Sequence, residues 1–290
     1  MKKLLKSQED NNLKTGLNKK WNGRLGVCPI NMEQIQGYNY EIKDGPPRQL
    51  PLELLDDFTL NNKVGIRFWY GNGETTGVEK IKNIFKKNEI DNFIELAKNK
   101  KLGYYGEVAM QIHVAFDEYL VENQTIAVMG STSPICESFC LAYGAKPVTI
   151  EYKEIDCDDE RIETYTVEEF YKNPKLCDFA ISISSFEHDG LGQYGDPIDP
   201  YGDIKAMERM KHTVKKNGLF FLAVPIGKDR IDWNAHRVYG SVRLPMLLEN
   251  WKTVATVGFD ESMYTIVPQD PREENFNYGY KHALFVLKNI

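Results

Sequence analysis

Long apolar runs and closely paired cysteines are both missing from this sequence of 290 residues. No stretch approaches the length needed to cross a bilayer, and the first residues lack the apolar core of a signal peptide. The five cysteines form no Cys-x-x-Cys pair, the spacing typical of zinc sites. Cys136 and Cys140 are four residues apart on a predicted helix, where they are expected to pack as small hydrophobic side chains. These absences predict a reduced, cytoplasmic protein without a membrane span.

Positive charge is also scarce, because 36 Lys and Arg residues face 42 Asp and Glu residues, for a net charge of −6. A basic face for nucleic acid is therefore not expected, and the lysines near the start indicate an exposed terminus. There is no internal repeat and no low-complexity tract. The hydrophobic fraction of 42% is enough to bury a sizeable core. The expected partner is a small-molecule substrate, and the oligomeric state is left open.

Residues 1–120 are polar and irregular at first and then helical, which predicts an N-terminal extension or cap. Gly45-Pro46-Pro47 and Pro51 interrupt any long element in its first half. A short strand is predicted over 66–70 and a turn over 71–73. Two helices with an apolar stripe are predicted over 78–100 and 105–120.

Residues 121–290 alternate between strand and helix patterns, which predicts a Rossmann-like domain with a doubly wound, mostly parallel α/β sheet. Ser133 is the expected N-cap of the first helix, with Pro134 as its first residue and Gly144 as its end. The loop-like link between the last two strands allows one of them to run antiparallel. Strands are predicted over 125–129, 147–151, 178–184, 219–224, 251–257 and 282–287, and helices from 134 and 166 and over 204–215 and 244–249.

The turn after the first of these strands is the first candidate site. Backbone N–H groups at a strand-to-helix turn can bind anionic groups, and Gly130 and Ser131 occupy this one. Glu151 follows about twenty residues later at the end of the next strand, where an acid can accept hydrogen bonds from ribose hydroxyls. An ordinary capped turn and a surface acid are the alternative. Taken together, the turn, the spacing and the acid favour a nucleoside-containing ligand.

The strand 178–184 is the most informative part of the chain, because a continuous apolar run ends abruptly in Glu187, His188 and Asp189. The carboxyl ends of parallel strands line the ligand crevice in open α/β sheets. The long loop that follows could hold a general base at His188, or Mg²⁺ or Mn²⁺ between Asp189 and Asp196. The alternative is a solvated loop whose aspartates and glycines form turns and caps.

The segment after the strand 219–224 should face the same crevice. Asn234, Arg237, Tyr239 and Arg243 are candidate substrate-binding residues, and the two arginines could hold a carboxylate or phosphate. His236 is a second candidate base. The alternative is a structured loop whose polar groups satisfy buried backbone. Two further histidines, His113 and His212, are expected to be structural.

Residues 124–288 resemble the fold of class I S-adenosylmethionine-dependent methyltransferases. A Glu-His pair after the fourth strand and Lys-x-x-Gly before the fifth are frequent in that fold, and this chain has Glu187-His188 and Lys215-Lys-Asn-Gly218. More narrowly, the chain is similar to the family called domain of unknown function 268. That resemblance is carried by Leu141-Ala-Tyr-Gly-Ala145, Glu151-Tyr152, Glu187-His188-Asp189-Gly190-Leu-Gly192, Gly195-Asp196-Pro197 and Trp233-Asn234-Ala235-His236-Arg237-Val-Tyr239-Gly240.

The resemblance implies S-adenosylmethionine as the cofactor. Gly130 and Ser131 would contact its methionine part and Glu151 its ribose, and Ser185 joins this cofactor set. Asp158 and Tyr165 would approach the adenine. One departure is that typical members have an acid and two or three glycines in the first turn, whereas 129–134 has one glycine and no acid.

The function expected from these observations is methyl transfer to a hydroxyl of a polar small molecule, with a sugar or glycan precursor as one possibility. His188 or His236 would take the proton, with Glu187 and Asp189 beside them. The first alternative keeps the fold but replaces methyl transfer with metal-assisted or acid/base chemistry, such as hydrolysis or isomerisation. The second alternative is a non-catalytic scaffold with a vestigial pocket.

Overall fold

An eight-stranded, mostly parallel sheet forms the centre of the protein, seen in a computed structural model that describes residues 17–18, 46–70, 82–101, 106–269 and 278–290. Its strands run in the order β1-β12-β13-β9-β8-β4-β5-β7. The strands are β1 (Leu17–Asn18), β2 (Gly65–Trp69), β3 (Asn83–Phe85), β4 (Thr125–Met129), β5 (Lys146–Glu151), β6 (Ile155–Cys157), β7 (Glu163–Thr166), β8 (Cys177–Ile183), β9 (Val214–Ile226), β10 (Arg230–Asn234), β11 (His236–Val238), β12 (Trp251–Val257) and β13 (Lys281–Asn289).

Helices cover both faces of this sheet, as the strand and helix alternation predicted. The helices α3 and α4 pack on one face, and α5, α6 and α7 pack on the other. Helix α2 packs beside α4. The helices are α1 (Leu55–Thr59), α2 (Lys87–Lys98), α3 (Glu107–Glu118), α4 (Ile135–Ala142), α5 (Val167–Lys172), α6 (Gly202–Thr213) and α7 (Arg243–Leu247), with single 3₁₀ turns at Leu52–Leu54, Phe186–His188 and Glu261–Thr265.

Strand β9 shows why these residues make a two-sided core. Phe220 and Leu222 point into one apolar layer, whereas Phe221 and Ala223 point into the other, and all four are fully buried. Each buried Phe or Leu stabilises the fold by about 1.5–3 kcal/mol. A strand buried on both faces reads as a continuous apolar run, which explains the patterns at 178–184 and 219–224.

The parallel half of the sheet contains the site-forming strands β9, β8, β4, β5 and β7. Strand β13 runs antiparallel to both of its neighbours, so one of the last two strands is antiparallel, as the sequence allowed. Because β4 lies between β5 and β8, the chain changes direction along the sheet at β4. Crevices for ligands form at the carboxyl ends of strands at such a point.

A second, three-stranded sheet consists of β10 and β11, which follow β9 in the chain, and β2. Strand β10 pairs antiparallel with β11 and parallel with β2, so the predicted strand near 66–70 is confirmed as β2. Arg67 of β2 forms two hydrogen bonds with the Asp232 carboxylate of β10, at 2.8 and 2.6 Å. This pairing connects the first third of the chain to the predicted site.

Several element boundaries differ from the predictions. Ser133 does not cap α4, because the helix begins at Ile135 and Pro134 is its cap residue without a side-chain bond. The predicted helix over 78–100 begins at Lys87, after β3, and its first residues 78–81 lie outside the described residues, as do the turn at 71–73 and position 105. The division of the chain near residue 120 stays a prediction, and α3 packs directly on the sheet. Within the described ranges, no helix combines the length and apolarity needed to span a bilayer.

Candidate functional site

A cleft opens at the carboxyl ends of β4 and β5, where the topology predicts a ligand crevice. It opens to solvent. The sheet supplies its floor, the loop after β8 supplies one wall, and α5 and α6 supply the rest. Its lining residues are Met129, Gly130, Ile150, Glu151, Tyr152, Val167, Tyr171, Ser185, Phe186, Asp189, Ala206 and Arg209. Three of the four predicted cofactor residues, Gly130, Glu151 and Ser185, therefore share one cleft.

The turn after β4 is held tightly by its neighbours. Gly130 adopts a φ of +69°, which favours glycine, and its N–H donates to the Ile150 carbonyl at 3.1 Å. A Cβ at this position would lie 1.8 Å from Ser185 Oγ. The fourth predicted cofactor residue, Ser131, is buried beneath the turn, where its hydroxyl contacts the Ser133 carbonyl at 2.9 Å. One glycine is thus enough for a close approach between the turn and the loop after β8.

Glu137 of α4 is a component of this turn that the sequence reasoning missed. Its fully buried carboxylate accepts hydrogen bonds from Ser131 Oγ at 3.0 Å and from Thr149 Oγ1 at 2.8 Å. Burial raises the pKa of Glu137 to about 7, although the two hydroxyls act in the opposite direction. The available signal was a lone charged residue in the otherwise uncharged segment Ile135–Ala142.

Glu151 ends β5 and lies in the cleft with only 6% of its surface exposed. Its Oε1 accepts a hydrogen bond from the Tyr152 N–H at 2.8 Å, which orients the carboxylate at the strand end. The adjacent Tyr152 phenol has a raised pKa, because the charge of Asp189 and then burial disfavour the phenolate. Asp158 and Tyr165, which the resemblance places near an adenine, are not among the lining residues of this cleft.

Asp189 borders the cleft on the side of the loop after β8. Its carboxylate lies 3.8 Å from Arg209 Nη2, and burial followed by the nearby charge of Asp196 raises its pKa well above the usual range. Asp196 itself accepts hydrogen bonds from the N–H groups of Gly190, Gly192 and Tyr194, at 2.6, 3.1 and 3.3 Å. Asp196 therefore folds the loop.

The metal prediction for Asp189 and Asp196 is not supported. No group of three or more His, Cys, Asp or Glu side chains is arranged to hold a metal ion in the part of the chain that the structure describes. The backbone bonds to Asp196 explain why, because they already occupy the carboxylate that was expected to be a ligand.

A cluster of histidines surrounds Glu187 and His188 of the same loop. The buried Glu187 accepts a 2.6 Å hydrogen bond from Ser184 Oγ, and this hydroxyl also lies 3.3 Å from His282 Nε2. His188 Nε2 is 3.9 Å from Glu187 Oε1, and the rings of His188 and His236 are 6.1 Å apart. The two predicted bases are therefore brought together, with His282 as a third imidazole. We call Ser184, Glu187, His188, His236 and His282 the histidine cluster.

Strand β10 anchors one end of the histidine cluster through Asp232. This buried carboxylate binds Arg67, Arg230 Nε at 3.0 Å and His236 Nε2 at 3.2 Å. Although burial opposes ionisation, His236, Arg67 and Arg230 together lower the pKa of Asp232 to about 2. Asp232 thus remains charged and fixes the orientation of His236. The sequence reasoning missed this residue because its partner Arg67 is so distant along the chain.

The arginines predicted to bind substrate lie in a buried cluster and do not line the cleft. Arg237, Tyr239 and Arg243 are fully buried around Asp203 of α6. The Tyr239 hydroxyl and Arg243 Nε donate to Asp203 Oδ2 at 3.0 and 2.9 Å, while Arg237 donates to the main-chain carbonyls of residues 187, 189, 199 and 200. Burial opposes ionisation of Asp203, but Arg237 and Arg243 keep its pKa below the usual value. These contacts join the long loop after β8 to β11, which carries Arg237, and to α6, which carries Asp203.

The remaining predicted positions divide between site and core. Asn234 is fully buried at the end of β10, next to the histidine cluster in sequence. His113 is also buried, hydrogen-bonds the Tyr143 hydroxyl at 2.8 Å, and has a pKa lowered to about 4 by burial. His212 is exposed on α6. Both His113 and His212 are outside the site, as expected.

Comparisons with known proteins give one family match and several distant structural similarities. The family model described as Caenorhabditis protein of unknown function, DUF268, matches residues 123–290. No curated protein matches the sequence.

Similar solved structures include 1,6-didemethyltoxoflavin-N1-methyltransferase from Burkholderia thailandensis with bound S-adenosylhomocysteine, at 15% identity and a TM-score of 0.44 over 69% of this chain and 86% of that one. The N-methyltransferase NodS from Bradyrhizobium japonicum, also with S-adenosylhomocysteine, has 12% identity and a TM-score of 0.40 over 69% and 99%. A structure from Galdieria sulphuraria, described as a sarcosine dimethylglycine methyltransferase, has 12% identity and a TM-score of 0.41 over 70% of this chain and 98% of that one. Similarities this distant do not assign an activity to this chain.

Proposed function

Because this chain belongs to the DUF268 family, whose description assigns no reaction, we propose its function from the cleft: S-adenosylmethionine-dependent methyl transfer to a hydroxyl of a polar small molecule. One observation carries the proposal. The turn at Gly130, the acid Glu151 and the loop after β8 meet in a single cleft at the point where the sheet changes direction, and that loop also carries Ser184, Glu187 and His188 of the histidine cluster.

The cleft residues fit the cofactor that the resemblance implies. Gly130 brings the turn close to Ser185, and both residues line the cleft beside the start of α4, where the methionine part of the cofactor would lie. Glu151 supplies an anionic acceptor at the end of β5, suited to a pair of ribose hydroxyls. Bound there, S-adenosylmethionine would supply an electrophilic methyl group.

The histidine cluster supplies the proton acceptor. His188 Nδ1 hydrogen-bonds the Ala235 carbonyl, which can only accept, so Nδ1 carries the ring proton and Nε2 is the basic atom. Glu187 Oε1 lies 3.9 Å from that nitrogen and stabilises the imidazolium that forms. Positioning a hydroxyl beside a base can contribute 10²–10⁴-fold to the rate of proton transfer, so one histidine suffices.

His236 is the second candidate base. Its Nε2 lies 3.2 Å from Asp232 Oδ2, a carboxylate that Arg67 and Arg230 also bind. Substitution of each histidine separately distinguishes their roles in the tests below.

A second candidate function is acid/base chemistry without the cofactor, such as isomerisation of a polar substrate. The buried carboxylate of Glu187 among three histidines favours it, because that arrangement can move protons by itself. Under this alternative, the cleft at Gly130 would bind the substrate rather than a cofactor. A non-catalytic scaffold is the third candidate.

Calorimetric titration of the purified full chain with S-adenosylhomocysteine distinguishes these functions. Micromolar binding, unchanged by added Mg²⁺ or Mn²⁺, supports methyl transfer. No binding at millimolar concentration overturns it and leaves the acid/base alternative. A matched titration with adenosine alone shows whether the nucleoside part contributes most of the affinity.

A further inference from the structure

We propose that a subsite for a neutral, hydroxylated ring extends from the histidine cluster to the surface, and that Trp69 and Tyr278 are its platform. The ligand class is a carbohydrate, whose C–H faces stack on aromatic rings while its hydroxyls bind polar side chains. The subsite is inferred from geometry and charge. It rests on the proposed function only for the statement that its ligand is the methyl acceptor.

A continuous series of rings connects the histidine cluster to the surface. The centroid of His236 lies 6.1 Å from that of His188, 5.2 Å from Tyr280 and 6.4 Å from Trp69. Tyr278 continues the series, at 5.6 Å from Trp69 and 6.1 Å from Tyr280. Trp69 and Tyr278 are 40% and 47% exposed, so the outer end of this series faces solvent. Large rings with polar edges suit a ligand that is apolar on its faces and polar at its rim.

The charges near these rings are balanced, which favours a neutral ligand. Asp232 is paired with both Arg67 and Arg230, and Glu187 is the other carboxylate of the site. Burial lowers the pKa of His282, so this imidazole stays neutral at pH 7. The positive charges of these two arginines and the negative charges of these two carboxylates therefore cancel.

A cationic ligand is disfavoured at the platform itself. The Arg67 guanidinium carbon lies 5.1 Å from the Trp69 ring centroid, where it already uses the ring for a cation–π contact. A second cation beside Trp69 would be repelled by Arg67. At the inner end of the ring series, an anion would be repelled by Glu187, which is buried and poorly screened.

Glu187 provides an acceptor that a ligand hydroxyl can satisfy. Its Oε1 accepts from Ser184 Oγ, whereas its Oε2 is buried and has no hydrogen-bond partner among the described residues. A buried carboxylate oxygen without a partner is costly, by about 1–3 kcal/mol or more. A neutral hydroxyl bound between Glu187 and His188 would remove that cost and would lie next to the basic Nε2.

The platform is built partly from outside the segment that defines the family. Trp69 and Arg67 belong to β2, whereas the family match covers residues 123–290. Strand β2 reaches the site only because it pairs with β10 in register, with Trp69 opposite Asn234 and Arg67 opposite Asp232. The N-terminal part of the chain therefore determines acceptor specificity through these two side chains.

Saturation-transfer NMR on the full chain tests the subsite directly. The probes are methyl α- and β-glycosides of glucose, galactose, mannose and fucose, with tetramethylammonium and benzoate as charged controls. We expect saturation of ring C–H protons for at least one glycoside and none for the charged probes. Trp69→Ala and Tyr278→Ala should each reduce the glycoside affinity at least tenfold. Phe68→Ala is the matched control, since Phe68 is the adjacent residue of β2 and is 67% exposed.

The outcomes separate the subsite from the proposed function. Glycoside binding that depends on Trp69 but not Phe68 supports the subsite, even if S-adenosylhomocysteine fails to bind and methyl transfer is abandoned. Preferred binding of either charged probe overturns it, as does glycoside binding that Trp69→Ala and Tyr278→Ala leave unchanged. Absence of binding by every glycoside at 50 mM, a concentration set as roughly tenfold above a weak millimolar Kd, also overturns it.

Discussion

Gly130 and Ser185 approach each other so closely that no room for even a single methyl group remains between the turn after β4 and the loop after β8. A Cβ at Gly130 would lie 1.8 Å from Ser185 Oγ and 2.6 Å from Ser185 Cβ. Both residues line the cleft, so the width of the cleft at this point depends directly on their contact. This relationship yields the first prediction.

Gly130→Ala should lower the affinity for S-adenosylhomocysteine at least tenfold and destabilise the fold by about 1–3 kcal/mol, because it adds a clash to a positive φ. Calorimetric titration and urea unfolding measure the two effects. Gly144→Ala is the matched control, since Gly144 has a φ of +75° but only the flexible Glu122 side chain nearby. Ser185→Gly should partly rescue Gly130→Ala, and equal affinities for the two alanine variants would contradict the prediction.

Glu151→Ala should weaken binding of S-adenosylhomocysteine more than tenfold, because it removes the anionic acceptor at the end of β5. Binding of S-adenosylhomocysteine, followed by calorimetry, is the measurement. Glu154→Ala is the control, since Glu154 is an exposed acid three positions away that pairs with Lys82 at the surface. An unchanged affinity in Glu151→Ala would remove the ribose role from this residue.

Glu137 should make the stability of the protein fall as the pH rises. The folded state holds this proton up to a pKa of about 7, whereas an ordinary glutamate releases it near 4.5. The folded state therefore binds more protons than the unfolded state across this range. The contribution of Glu137 to the free energy of unfolding is fully present below pH 4.5. It decreases by about 1.4 kcal/mol per pH unit up to about pH 7.

Glu137→Gln should remove this dependence, because the amide resembles the protonated acid and can still bond the hydroxyls of Ser131 and Thr149. Urea unfolding of both proteins at pH 5 and pH 8 gives the comparison. We expect the variant to gain roughly 2–3 kcal/mol relative to the wild type between the two pH values. Parallel pH profiles would show that the carboxyl is ionised throughout.

His188→Ala should abolish methyl transfer to whichever glycoside binds, while leaving the affinity for S-adenosylhomocysteine within twofold. The reason is that His188 Nε2 is the basic atom beside Glu187 but does not line the cleft. Initial rates of methylated product formation and calorimetry are measured together. His212→Ala is the control, as an exposed histidine of α6. Full activity in His188→Ala with loss in His236→Ala would transfer the role of base to His236.

Asp203→Asn should destabilise the protein by about 3–5 kcal/mol, because it leaves Arg237 and Arg243 buried without their counter-ion. Chemical denaturation measures the loss. Glu168→Gln, which affects an exposed pair with Lys172 on α5, should change the stability by less than about 1 kcal/mol. Comparable effects of the two substitutions would mean that the buried cluster is not anchored by Asp203.

The parallel strands and the position of the cleft could be predicted from sequence because both follow from local patterns. A strand that is buried on both faces has an apolar run, and the residues after it lie at a known edge of the sheet. Gly130, Glu151 and the loop at Glu187 and His188 therefore lie at the strand ends where the sequence placed them, and their functional roles stay a prediction.

Other parts of the site depend on contacts between distant residues, which no local pattern reports. Strands β10 and β11 are rich in charged residues and read as a loop, but their charges are paired in the fold. Arg237 and Arg243 look like a ligand clamp in sequence, whereas in the fold both form ion pairs with Asp203 from α6. The same limit applies to His282, which reaches Ser184 from 98 positions away.

The pairing of β2 with β10 imposes an order on folding during synthesis of the chain. Arg67 and Asp232 are 165 positions apart, and a ribosome adds about 5–20 residues per second, so β2 waits roughly 10–30 s for its partner strand to be made. During that time Ile66 and Phe68, exposed even in the finished fold, belong to an unpaired strand edge. Chains halted on the ribosome before residue 230 should therefore remain open to proteolysis at 65–69, and protection of those residues should appear only in longer chains.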